Sequence, residues 1–232
     1  MTTIETRPAP APAPTLPEPG VTLRRRAGGA VMIGAGALSL AGFLLTPWEH
    51  GSTTRDYLES LTGSPVQAML AASVLHFGYV LFVPTAFVLS RLARRRAPKL
   101  SATGLVLAVL GSGLSGLVVT DIYDLSIGLH VGESAGAPVS EMTNVPGAPV
   151  AFIAMGLTTL LGTVIGLTLL ALAAWRAKVA PVWPAVGIIA GFVGSYGHDG
   201  VRACISFAVV AVSLAFLGLR VLQMSDEEFA SR

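Results

Sequence analysis

Apolar stretches recur six times along this chain, and the links between them are alternately rich and poor in Arg and Lys. No other feature limits the fold as strongly. About 20 apolar residues make a helix roughly 30 Å long, which matches the hydrocarbon thickness of a bilayer. Inside hydrocarbon, only helices and closed barrels satisfy their own backbone polar groups. The six stretches lie at about 27–48, 65–90, 101–122, 149–175, 181–196 and 203–222. The expected fold class is therefore all-α, a polytopic transmembrane bundle of six helices. Composition agrees: charged residues make up 12% of the chain, against about 25% in soluble domains. Hydrophobic residues make up 53% and the mean hydropathy is +0.70, too little polar surface to cover a soluble core.

The basic residues give the bundle a direction. Arg24, Arg25 and Arg26 precede the first stretch. Arg91, Arg94, Arg95, Arg96 and Lys99 sit between the second and third, Arg176 and Lys178 between the fourth and fifth, and Arg220 closes the sixth. The intervening links carry Arg55 alone, no Lys or Arg over 123–148, and Arg202 alone. Positively charged loops are retained in the cytoplasm, so the expected protein is multi-pass in the cell membrane with both termini cytoplasmic. Trp175 and Trp183 then flank the inner interface and Trp48 the outer one. The lipid bilayer is the first partner this implies. A net charge of +2, with its cations beside apolar stretches, gives no argument for nucleic acid.

Three regions follow. Residues 1–23 carry Pro8, Pro10, Pro12, Pro14, Pro17 and Pro19, which support neither helix nor sheet. They are expected to form a disordered cytoplasmic tail of polyproline character, a solvated segment or a docking motif for a partner. Residues 24–223 hold the six-helix domain, its first stretch an uncleaved signal anchor without a cleavage site. Residues 224–232 form a short cytoplasmic C-terminal tail.

Small residues mark where helices approach. Gly104, Ala108, Ser112, Gly116 and Thr120 recur every four residues, Gly162 and Gly166 are four apart, and Gly187 and Gly191 are followed by Ser195. Such ridges let backbones come close where lipid supplies no hydrophobic drive. They fit packing within the chain and also a homodimer. Apolarity on every side leaves the lipid-facing surface of each helix undefined.

Polar side chains that could do chemistry gather toward the outer half. His76 lies about ten residues inside the second stretch, with Tyr79 one turn on and Pro84 five residues further. Asp121 ends the small-residue ridge. A polar group at membrane depth is costly and faces protein or water, so His76, Asp121, Tyr79 and Glu49 are the candidate catalytic residues. His50, Asp124, His130, His198 and Asp199 line the same rim as candidate ligand-binding residues. No HxxxH, HExxH or CxxC occurs, so no metal site is expected. Cys204 is the one cysteine, which rules out an intrachain disulfide. Bis-histidine haem needs two histidines at one depth and only His76 is deep. Phosphate loops, Rossmann glycines and the nucleophile elbow are absent, so no cofactor is expected.

The stretch from Phe82-Val83-Pro84 to Arg91-Leu92-Ala93-Arg94, then Ala97-Pro98-Lys99-Leu100, and Asp121-Ile122-Tyr123-Asp124 resemble small six-span integral membrane proteins of actinobacteria. That resemblance implies the six-span topology and carries no activity with it. Without a catalytic constellation, the favoured function is small-ligand binding, transport or an accessory subunit. One alternative is an intramembrane enzyme on a hydrophobic small molecule, such as an acid-initiated terpenoid cyclase using Asp121, His76, Tyr79 or Glu49. Another is the permease half of an export ATPase, which expects an amphipathic helix where this chain has prolines.

Overall fold

Proline starts, apolar middles and capped ends turn the stretches into helices, and every element among the described residues is helical. The computed structural model describes residues 20–48, 60, 61, 63–116, 157, 158, 161–195 and 199–232, with 114–116 as backbone only. Helix α1 spans Val21–Leu45 and α2 Pro65–Ala93. Helix α3 runs over Pro98–Ala108 and continues with the wider π hydrogen bonding over Val109–Gly116. Helix α4 opens with a π segment, Leu161–Ile165, and becomes α-helical over Gly166–Arg176. Helices α5 (Trp183–Gly194), α6 (Gly200–Gln223) and α7 (Asp226–Ser231) complete the set. Helices α1, α2 and α6 are each long and apolar enough to cross a membrane, while α4 and α5 are shorter apolar helices.

Local chemistry explains the boundaries. Proline opens α2, α3 and α5 in the first turn, where its missing N–H and fixed φ cost nothing. Helix α2 runs unbroken through Pro84. Helix α4 closes with paired hydrogen bonds, Lys178 N–H to the Trp175 carbonyl and Val179 N–H to the Ala174 carbonyl, both 2.9 Å. This is the Schellman arrangement, and the left-handed position it needs is filled by Lys178 at φ 59° where glycine is usual.

Helix α1 begins six residues before its apolar stretch, so Arg24, Arg25 and Arg26 are helical, as are 21–23, which the sequence assigned to the tail. Tertiary anchors account for this. Arg25 donates to the Leu222 carbonyl and, at 2.8 Å, to Asp226, and Thr22 donates to the same carboxylate. Residues 224–232, expected only as a tail, hold α7. Its Phe229 is buried under the Arg91 guanidinium, 5.4 Å from the ring centroid. Residues 1–19 and the link 123–148 lie outside the described residues.

Close glycine contacts define the packing as a series of antiparallel pairs. Along α1 and α6, Gly29 meets Gly218 and Gly36 meets the Ala211 backbone, one rising as the other falls. Along α1 and α2, Gly42 meets Leu75, Gly78 meets Ser39 and Gly28 meets Val88. The ridge of α3 lies on that of α4: Gly104 on Gly166 and Leu170, Ala108 on Gly166, Gly111 on Gly162. Ser112 and Thr163, both buried, share a hydrogen bond of 3.0 Å beside the last contact. Gly187 and Gly191 of α5 face Ser213, Ser206 and Val210 of α6. Gly104 to Ser112, Gly162 with Gly166, and Gly187 with Gly191, the described parts of the ridges read from the sequence, thus pack within the chain. Helix α2 also touches α4, and α5 joins α4 to α6, so the helices close into a ring. Its interior is filled by Met32, Phe82, Leu89, Leu167, Leu170, Ile188, Phe207 and Leu214, all fully buried.

Large apolar side chains cover the outside as well. Phe77, Phe87, Val106, Val186, Val193, Val201, Ile205 and Val212 are all more than half exposed. A ring of helices that is apolar inside and outside fits a hydrocarbon surround.

Candidate functional site

The bundle has two unlike ends. Arg25, Arg91, Arg94, Arg95 and Arg96 collect at one, with Arg176, Lys178, Arg220 and Arg232. Hydrogen bonds tie that end together: Arg95 to the Ser231 carbonyl, Arg96 and Arg232 to the Ala177 carbonyl, and Arg220 to the Val179 carbonyl. The opposite end carries Trp48, Gln67, Asp199 and Arg202 and lies nearest to His76.

His76 is half-buried on α2, its ring edge-on to Phe77 with centroids 5.4 Å apart. Its position follows from helix geometry. Val83 meets Gly113 of α3, where an added Cβ would lie 3.4 Å from the Val83 methyl. His76 is seven residues before Val83 and Tyr79 four, so both share the α2 stripe that Val83 turns toward α3. Both side chains have additional interaction partners. A half-buried imidazole with a phenol one turn away can donate, accept and carry a proton.

Tyr79 also begins a chain of rings. It stands edge-on to Phe82 at 5.4 Å, Phe82 to Phe192 at 6.1 Å, and Phe192 to Phe207 at 5.3 Å. Phe207 stacks on Phe43 at 3.9 Å and Phe43 on Trp48 at 6.2 Å. Six aromatic side chains from α2, α5, α6 and the end of α1 thus form one line. Sequence reasoning missed Phe43, Phe82, Phe192 and Phe207 because they lie on four different helices. Phe82, Phe192 and Phe207 are buried against one another, so this line is packed core that fixes the α2 wall behind Tyr79. Missed too were Ser39 on α1 and Thr85 on α2, whose hydroxyls are fully buried without a hydrogen-bond partner among the described residues.

Asp199 has a local task. Its carboxylate accepts from Arg202 N–H at 3.0 Å and caps α6, while Arg202 Nε donates to the Gly194 carbonyl at 2.8 Å. The pair pins the end of α5 to the start of α6. The other residues singled out from the sequence, Glu49, His50, Asp121, Asp124, His130 and His198, lie outside the described residues. Among the described residues, no three His, Cys, Asp or Glu side chains converge to hold a metal ion.

No protein-family model matches this chain, and neither curated proteins nor solved structures yield a match.

Proposed function

We propose that this chain is a six-span protein of the cell membrane, with both termini cytoplasmic, that binds or passes a small ligand through a polar site opening on the outer side. His76 and Tyr79 would form the inner wall of that site and Asp121 its rim. The observation that carries the reading is the α2 stripe on which His76 and Tyr79 stand. That stripe meets α3 at Val83 and Gly113. Seven residues of chain separate that contact from His76 and eight separate it from Asp121. Hydrocarbon would penalise each of them, whereas a shared wet site removes that cost. The gathering of basic residues at the other end supports the orientation, since it leaves the His76 end outward. In this reading the protein is a binding, transport or accessory subunit that resembles small six-span actinobacterial membrane proteins.

Accessibility tests the site without knowledge of the ligand. On a Cys204→Ser background, His76→Cys and Tyr79→Cys should react in intact cells with a small, membrane-impermeant thiol reagent. Phe77→Cys, on the exposed apolar face, should stay unreactive because a lipid-facing thiol is neither hydrated nor readily ionised. Equal inertness at all three positions would place His76 in dry packing and end the proposal.

A further inference from the structure

The turn between α4 and α5 is surrounded by cations that carboxylates do not balance. Arg176 and Lys178 belong to it, Arg96 and Arg232 reach the Ala177 carbonyl at 3.4 and 2.7 Å, and Arg220 reaches the Val179 carbonyl at 3.5 Å. Of these five, only Arg232 has a carboxylate partner among the described residues, Glu228 at 2.9 Å. Asp226 is engaged by Arg25, and Glu227 is exposed. Arg96, Arg176, Lys178 and Arg220 are all exposed. Apolar surface adjoins them directly. Trp175 and Trp183 are 44% and 40% exposed, Val182 40% and Leu219 48%. The Trp183 ring leans on Phe216 with centroids 4.8 Å apart, forming a firm aromatic floor beside Arg220.

Lys178 adds a second, independent observation. It holds the left-handed position that ends α4, which glycine fills without steric cost. A lysine there keeps an exposed ammonium on the turn in spite of the backbone preference.

We infer that this turn binds the anionic headgroup of a membrane phospholipid. Arg176, Lys178 and Arg220 would meet the phosphate, and Trp175 and Trp183 would lie along the upper acyl chains. The occupant must be an amphiphile because the cations and the exposed apolar rings share one level. A soluble anion would leave the rings uncovered, and a nucleic acid would bring its charges against hydrocarbon. Basic pockets between membrane helices attract anionic lipids in this way. The inference requires that the apolar helices sit in a bilayer and is independent of any ligand at His76.

Brominated lipids quench tryptophan on contact and provide the test. The full chain carrying Trp48→Phe, which leaves Trp175 and Trp183 as reporters, is reconstituted in phosphatidylcholine vesicles. Brominated phosphatidylglycerol and brominated phosphatidylcholine are then compared at equal mole fraction. Quenching by the phosphatidylcholine form reports that the chain is embedded. The phosphatidylglycerol form should be preferred about fivefold or more, falling toward parity in high salt. Lys178→Gly relieves the left-handed residue and should leave the fold intact, yet lower the preference by about threefold to fivefold. Lys178→Arg should retain it. Equal quenching by the two lipids in the parent chain would overturn the inference. So would a preference unchanged in Lys178→Gly, or one abolished by inorganic phosphate at constant ionic strength, which would identify a free anion as the ligand.

Discussion

The α3–α4 crossing can be tested at a single glycine. A Cβ built on Gly166 would lie 2.7 Å from Ala108 Cα and 2.9 Å from Ala108 Cβ, and closer still to the Ala108 nitrogen. These are mostly backbone atoms, so no side chain can swing aside. Restoring ordinary van der Waals distance requires the helices to part by roughly 0.5–1 Å, which forfeits a quarter to a half of the attraction of each facing pair. The loss extends along the seam, from Gly104 against Leu170 to Gly111 against Gly162. The buried Ser112–Thr163 hydrogen bond, 3.0 Å long, would stretch with it. Overpacking of this kind costs about 1–3 kcal/mol, and a strained interhelical hydrogen bond adds about 1 kcal/mol. Gly166→Ala should therefore lower the melting temperature of the full chain in detergent, followed by tryptophan fluorescence, by roughly 5–15 °C. Gly166→Leu should lower it further. The control is Gly113→Ala on the side of α3 that faces α2, whose Cβ would meet a Val83 methyl at an ordinary 3.4 Å and a Val109 methyl at 4.0 Å. If Gly166→Ala melts no lower than Gly113→Ala, the ridges do not meet as described.

Orientation is tested by single cysteines on the Cys204→Ser background. Substitutions within 94–96 should resist an impermeant thiol reagent in intact cells, and Ser134→Cys or Ser140→Cys should react, with the reverse pattern refuting cytoplasmic termini. The clasp between α1 and α7 carries a pH dependence. The Thr22 hydroxyl and then Arg25 hold the Asp226 carboxyl below the ordinary carboxylate range. A depressed value means its stabilisation is complete above the unfolded pKa of about 3.9 and lost as pH falls through the lower folded value. Asp226→Asn should thus reduce amide protection in α7 at neutral pH, modestly because the pair is at the surface. Its difference from the parent chain should close in strong acid, and a difference that persists there would remove the carboxylate from the explanation.

Helical class and the sorting of charge follow from sequence alone. Long uncharged runs have nothing but their own backbone to satisfy their polar groups, and positive links alternate with neutral ones whatever the helices touch. The candidate His76 was legible for the same reason, since an imidazole inside an apolar run stands out by its cost. Partner choice was not legible. Helices apolar on every side carry no periodic signal for which face meets which neighbour, so the ridge of Gly104 and Ala108 suited another chain as well as Gly162 and Gly166 of this one. The tertiary structure decided it, because it sets Gly104, Ala108 and Gly111 at the heights of Gly166 and Gly162 on the neighbouring helix. The same holds for Phe43, Phe82, Phe192 and Phe207, four rings that sequence separates and packing aligns, and for Asp199, a rim carboxylate in sequence and a helix cap in space. Residues 224–232 are too short and polar to signal a docked element. Arg25 of α1, Arg91 and Arg95 at the end of α2, and the Ala177 carbonyl beyond α4 converge to hold α7 in place.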